Sequence, residues 1–279
     1  MAWLVQAYAT IIDRCILMSE GSHDRVEEDA ITFVITSCGR SDLLETCLAS
    51  FLAYNTAAIS KYLLIEDSGD HRVHEVVGKF AVPMEVIVND PPLGQIAAID
   101  RVYQRIATPY IFHCEDDWRF FRSGFIEESL VLLKHDPAMT AVICRRRGQN
   151  PRFDIVFENS PLQSFEGILY KKPSSWLDAH WHGYSFNPGL RRLSDYRLLG
   201  SFARWGDEID ASLFFKLRGR THAALVIPAC ETSGETRRLA KKSVRRSWRS
   251  RSQFHQARWR YRLARLADRA FRLINRQPK

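Results

Sequence analysis

Three consecutive carboxylates, Glu115-Asp116-Asp117, end an apolar run that starts at Tyr110, and Trp118 follows them directly. Ionised carboxylates side by side repel one another unless a cation sits among them. Hard divalent cations such as Mg2+ and Mn2+ take oxygen ligands and share them with a substrate's phosphates. The chemistry suited to such a triplet is therefore the handling of a phosphorylated substrate through a metal. The plainer alternative is an acidic turn that caps the next helix. Position separates the two. An apolar run opened by Pro109 reads as a buried strand of a parallel sheet, and in open α/β sheets ligands bind just beyond the carboxyl ends of the strands.

Other polar clusters fall at similar places. A β-branched, apolar strand over 31–36 ends in Ser37-Cys38-Gly39-Arg40, and a strand over 62–65 ends in Glu66-Asp67-Ser68-Gly69-Asp70. Ser41 is placed to cap the helix after the first strand, whose buried face is Leu44, Cys47, Leu48, Phe51 and Leu52. A third strand over 86–88 runs into Asn89-Asp90-Pro91-Pro92, a helix over 94–106 follows, and the triplet strand comes next. A helix over 125–133 and a strand over 141–144 continue the alternation. Such alternation means βαβ units and a doubly wound, mostly parallel sheet. Strand-like pieces over 153–157 and 167–170 add a mixed-sheet extension. Three polar strand ends on one sheet edge point to a nucleotide site, yet no GxGxxG and no GxxxxGK[ST] supplies the usual phosphate cradle.

The later part of the chain offers further candidates. Residues 176–184 are rich in Trp, His and Tyr, a surface that could stack on a sugar ring or simply fill a core. Asn187-Pro188-Gly189 reads as a turn. Helices are expected over 194–199 and 207–217 and a last strand over 223–227. Asp207, Glu208 and Asp210 load the first turn of the second helix, where acids complement the helix dipole; one of them could equally face the cleft as a general base.

With 279 residues, 46% hydrophobic and 11% aromatic, the chain can build a sizeable core. No run of 18 apolar residues could span a bilayer. The first 18 residues place Leu4, Tyr8, Ile11, Ile12, Cys15 and Ile16 at helical spacing; Asp13 and Arg14 interrupt them, so the reading is an amphipathic helix, not a signal peptide. None of the six cysteines has CxxC spacing, as expected of reduced thiols in a cytoplasmic protein rather than a zinc site. The net charge of +8 is unevenly spread: residues 236–279 hold 16 Lys/Arg and one acid, leaving −7 for the rest. Within this tail Arg258, Arg262, Arg265, Arg269, Arg272 and Arg276 form one stripe. Trp259, Leu263, Leu266, Ala270 and Leu273 form the next. A basic amphipathic helix of this kind suits an anionic membrane surface, with docking on the acidic body, a partner helix or nucleic acid as rivals. No RNA-binding module accompanies it, which sets nucleic acid behind the others. The expected organisation is an N-terminal helix and linker over 1–30, one domain over 31–235, and the tail over 236–279.

In order along the chain, Thr36-Ser37-Cys38-Gly39-Arg40, Glu66-Asp67-Ser68-Gly69-Asp70, Glu115-Asp116-Asp117-Trp118 and Trp205-Gly206-Asp207-Glu208 resemble the GT-A glycosyltransferases of the family-2-like branch. The resemblance covers about 31–235. It implies transfer of a sugar from a nucleotide-diphospho-sugar to an acceptor hydroxyl of a glycan, a lipid-linked molecule or a small molecule, with inversion and a divalent metal, Mn2+ or Mg2+. It implies that Ser37 and Arg40 meet the nucleotide, Asp67 contacts the base, and Gly94 and Gln95 lie along it. Asp117 would bind the metal, with Glu115 or Asp116 on the ribose, the metal or its water. Asp207 or Glu208 would be the base, and Asn187 to Arg191 would border the acceptor. Many relatives carry a His-x-Gly whose His is a further ligand; the matching place here reads Thr232-Ser233-Gly234, with Glu231 or His222 as substitutes. The alternatives are a sugar nucleotidyltransferase, whose Gly-rich, Lys-containing first loop is missing, and a degenerate transferase fold that binds a partner through the tail.

Overall fold

A computed structural model of the chain describes residues 28–148, 157–158, 160–173, 184–206 and 208–233. The expected N-terminal helix, most of the strand piece over 153–157, the aromatic stretch up to residue 183, Asp207 and the basic tail lie outside these residues.

The first strands form as their composition dictates. β1 (Ile31–Ser37) is flanked on both sides in parallel, by β2 (Lys61–Glu66) and by β4 (Tyr110–Glu115). β3 (Met84–Val88) extends the sheet beyond β2. Parallel neighbours need crossovers. These are α1 (Ser41–Tyr54), the short α2 (Val73–Val77) and α3 (Gln95–Tyr103). Alternation along the strands sends side chains to both faces. Phe33, Ile35 and Phe112 meet Leu44, Cys47, Leu48 and Phe51 of α1, the face the spacing predicts. Phe51 stacks on Phe33 with centroids 4.0 Å apart. Val34 and Ile111 turn to the opposite face, against α3 and the two later helices α5 (Leu193–Leu199) and α6 (Glu208–Leu217). The result is three layers, helices on both faces of one sheet, each fully buried aromatic contributing roughly 2–3 kcal/mol.

After the triplet come β5 (Trp118–Phe120), α4 (Phe125–His135) and β6 (Met139–Ile143). Then follow β7 (Leu162–Phe165), β8 (Ile168–Lys171), β9 (Gly189–Arg192), β10 (Thr221–Leu225) and β11 (Cys230–Thr232). The sheet runs β3-β2-β1-β4-β9-β6-β10-β8-β7, and β11 pairs with β5 in a separate two-stranded ribbon. The mixed extension is the β7–β8 hairpin, turned by Glu166 and Gly167, both at positive φ.

Three features depart from the sequence expectation. Ser41 does not cap α1: it is the first residue of the helix, Arg40 holds the N-cap position, and no side-chain cap bond forms there. The stretch beginning at Gly189 is no mere turn: β9 pairs antiparallel with both β4 and β6 and fills the place between them. Gly189 permits this, because a Cβ there would stand 2.3 Å from the Val142 carbonyl oxygen. The triplet also continues into a ribbon, where Trp118 faces Thr232 and the Ser233 N–H donates to the Asp117 carbonyl at 2.9 Å.

Candidate active site

Strand order reverses between β1 and β4, since the chain passes from β1 to β2 and β3 on one side and returns on the other. The crevice at the carboxyl ends of such a pair is where α/β sheets hold ligands. The Ser37–Arg40 loop and the acid triplet both open there.

The three acids do not act as one group. Asp116 turns inward and is fully buried. Its Oδ2 accepts from Ser37 Oγ at 3.0 Å, from Arg40 Nε at 3.1 Å and from the Cys38 N–H at 3.4 Å, while Oδ1 takes Arg40 Nη2. Ser37 is itself 4% exposed. These two residues therefore meet each other and the β1 loop, and together they fix the guanidinium. Arg40 Nη1 then reaches Asp117 Oδ2 at 3.2 Å, so one arginine neutralises parts of two acids through charge-assisted bonds. Burial pushes Asp116 up to about 6 against the pull of Arg40, which leaves it ionised at neutral pH.

Glu115 receives Gln95 Nε2. Burial, then the negative charges of Asp117 and Glu208, push its carboxyl from the ordinary 4.5 up to about 8. Asp117 is two residues away, but Glu208 comes from a distant part of the chain. Glu208 opens α6, and its Oε1 accepts the Phe186 N–H at 2.6 Å. The helix-dipole reading and the cleft-facing reading of this acid are thus compatible. Asp207 lies outside the described residues.

On the other flank, Glu66 and Asp67 knit loops together. Glu66 Oε1 accepts the Gly39 and Ser68 N–H groups, both at 2.8 Å. Asp67, 6% exposed, takes Asn89 Nδ2 and the Leu93 N–H at 2.8 Å on Oδ1 and the Gly94 N–H at 2.7 Å on Oδ2. Its carboxylate is spent on the 89–94 loop, which thereby delivers Gly94 and Gln95 to the crevice. Gly94 sits at φ 87°, a conformation that favours glycine.

Beyond Glu208, Asn187 bonds to Ser185 Oγ through its N–H at 3.1 Å and through Nδ2 at 2.5 Å. Arg191, on β9, is 2% exposed; its Nη2 donates to the Asn187 carbonyl at 2.9 Å. What Arg191 offers the crevice it offers through Asn187. Sequence reasoning placed Glu66 and Asn89 at strand ends without giving either a role, and missed Phe186; their contributions run through amide groups. It also missed Asp100, a carboxylate inside the helical pattern of α3, where the one available signal was an acid on a face that should be apolar.

The donors available to a cation follow from these contacts. Thr232 lies on the ribbon beside the triplet. Glu231 pairs with Arg146 at 2.8 Å. His222 is buried near the start of β10 against Tyr184 and Phe215, away from the carboxyl edge. Among the described residues no three His, Cys, Asp or Glu side chains converge as a complete metal shell. Asp117 and Glu115 remain, and two carboxylates are what Mg2+ or Mn2+ requires when substrate phosphates supply other ligands. Burial raises Glu115 most, and the charges of Asp117, Glu208 and Asp116 add to it; a cation would relieve that second part. The donor set fits a hard divalent ion.

No protein-family model and no curated protein sequence matches the chain. Solved structures do. A mannosyltransferase of Pyrobaculum calidifontis, solved with GDP-Man and Mn2+, superposes with a TM-score of 0.56 at 12% identity, over 74% of this chain and 57% of that one. Residues 1–349 of S. aureus TarS, solved with UDP, superpose with a TM-score of 0.52 at 8% identity, over 73% and 60%. The chain thus spans under two thirds of the length of either. Among the described residues no helix is long and apolar enough to cross a membrane. At these identities the likeness concerns backbone architecture, and on that ground the chain has a glycosyltransferase fold of the GT-A type.

Proposed function

We propose that this chain transfers a glycosyl group from a nucleotide-diphospho-sugar to an acceptor hydroxyl, with inversion at the anomeric carbon. The observation that carries the reading is the placing of Glu115 and Asp117 at the carboxyl end of β4, at the β1–β4 switch point, with the charges of Asp117 and Glu208 adding to burial in raising the Glu115 carboxyl. Glycosyl transfer needs a carboxylate near the acceptor hydroxyl, which an acid-lined crevice supplies, and relief of charge on a departing diphosphate, which the acids can provide only through a cation they hold. Glu208, or Asp207 beside it, takes the hydroxyl proton as the acceptor oxygen forms its bond to the anomeric carbon and the bond to the diphosphate breaks. The Phe186 N–H aims the Glu208 carboxylate. Asp117 and Glu115 would hold a divalent cation, which when bound supplies Lewis-acid neutralisation of the leaving group. Arg40, Gly94 and Gln95 line the donor side, with Ser37, Asp116 and Asp67 holding them in place. Asn187, backed by Arg191, borders the acceptor. The nucleotides bound to the two structural neighbours, GDP-Man and UDP, support a nucleotide-sugar donor. The domain over 31–235 carries this chemistry, and the tail over 236–279 holds it to the anionic, cytoplasmic face of a membrane.

Thermal melting against UDP-, GDP-, CMP- and dTDP-sugars, with and without Mn2+, tests the proposal. A ligand at 100 times its Kd stabilises the native state by ~2.7 kcal/mol. One nucleotide sugar should raise the Tm in a Mn2+-dependent way. No rise with any of them would favour the degenerate binding module, and deletion of 236–279 then discriminates, because an enzyme keeps turnover on a soluble acceptor.

A further inference from the structure

Helix α3 touches both sides of the crevice. Its first residue, Gln95, bonds to Glu115, and Asp100, further along, faces its neighbours in the same layer, α5 and the loop that follows it. Asp100 is 5% exposed. Its Oδ1 accepts Tyr196 Oη at 3.0 Å and the Phe202 N–H at 2.8 Å, and its Oδ2 accepts the Ala203 N–H at 2.8 Å. A buried carboxylate is costly unless fully hydrogen-bonded, and an apolar residue would pack against α5 at less cost. Two of its three bonds hold one segment, the 200–206 loop, and the third ties it to Tyr196 on α5 just before that loop. The loop begins and ends with Gly200 and Gly206 at positive φ and precedes α6. Glycines at both ends leave that loop little stiffness of its own. Phe202 is its pivot: the amide is held by Asp100, and the ring meets Phe186 edge-on at 4.8 Å. Phe186 is the residue whose N–H aims Glu208.

We infer that Asp100 is a positioning residue for Glu208, fixing from within the fold both the loop that delivers this carboxylate and the Phe202–Phe186 contact that orients it. The inference rests on the proposed glycosyl transfer for its catalytic consequence, but not for its structural one. Asp100→Ala removes all three bonds. Asp100→Asn keeps Oδ1 as acceptor and sets an NH2 against the Ala203 N–H. Displacing a catalytic group by about 1 Å costs on the order of 100-fold in rate. In Asp100→Ala, kcat should fall about 100-fold while KM for the donor stays within about twofold, with Asp100→Asn between it and the wild type. Amide exchange of Phe186 should quicken at least tenfold, while that of Asp116, bonded to Thr36 across β1 and β4, holds. If Asp100→Ala fails to fold, Asp100→Asn carries the same comparison. Unchanged kcat in a folded variant, or a fall in kcat without faster exchange at Phe186, overturns the inference. A wild type without transferase activity refutes the proposed function instead, and the Phe186 exchange alone then decides the role of Asp100: unchanged exchange overturns it.

Discussion

Glu115→Gln should stabilise the metal-free protein, and by an amount that grows with pH. Glutamine has the shape of a protonated glutamate and can still accept the Gln95 amide, so it preserves the contact and removes the titration. The folded carboxyl stands at about 8 against an ordinary 4.5. Between those values the unfolded chain has released the proton that the folded protein still holds, so the stability of the wild type falls as pH rises. At ~1.4 kcal/mol per pH unit the loss reaches ~3 kcal/mol at pH 7 and roughly 4 kcal/mol at pH 8, where the folded carboxyl itself begins to titrate. Asp116, raised from 3.8 to about 6, adds a fall of its own over a lower window. That fall occurs in both proteins, so the difference between them isolates Glu115. Guanidinium denaturation with EDTA at pH 5, 6, 7 and 8 measures it. The variant should gain ~3 kcal/mol on the wild type at pH 7, with most of the gain absent at pH 5. Parallel stability curves for the two proteins would refute the placing of Glu115 in an uncompensated acidic crevice.

Because a ligating Glu115 must lose its proton, Mn2+ affinity in the presence of nucleotide should rise towards tenfold per pH unit below pH 8, measured by calorimetry; a flat profile removes Glu115 from the shell. Asp117→Ala should abolish sugar-nucleotide turnover while far-UV circular dichroism and Tm stay close to wild type, since its carboxylate is half-buried and pairs with the partly exposed Arg40; normal turnover would exclude Asp117 from the chemistry. Gly189→Ala forces a methyl group to within 2.3 Å of the Val142 carbonyl and should cost ~3 kcal/mol or prevent folding, read by denaturation. A variant as stable as the wild type would show that β9 does not lie as close to β6 as described.

The first half of the fold was legible because its strands are plain: Phe33, Val34 and Ile35 in one, Ile111 and Phe112 in another, each closed by a polar cluster. The buried face of α1 could be read for the same reason, from Leu44, Cys47, Leu48 and Phe51. β9 was hidden because its sequence, Gly-Leu-Arg-Arg, follows Asn-Pro and looks like the exit from a turn; only its neighbours on both sides make it a strand. The ribbon of β5 and β11 has three residues in each strand, too few for a periodic signal. Within the site, the sequence located the acids but not their division of labour. Three adjacent carboxylates look alike until Arg40, far away in the chain, selects Asp116 for the interior. Asp67 has a second task that no spacing reveals, holding the amides of the 89–94 loop.

The position of β9 also constrains how the chain is made. A ribosome delivers β1 to β4 first, then β6, then the β7–β8 hairpin, and β9 only afterwards. Until β9 emerges, β4 and β6 each present an unpaired edge, because the sheet places no direct pairing between them. Nascent chains that end before β9 therefore leave one edge of β4 and both edges of β6 open, since β10, the other neighbour of β6, is made later still, the condition that invites pairing with other chains. The strand joining the two halves comes late and depends on long-range pairing, which is slow to form. Synthesis of this protein has a vulnerable interval built into its topology, and shielding by a chaperone would matter most just before residue 189 leaves the exit tunnel.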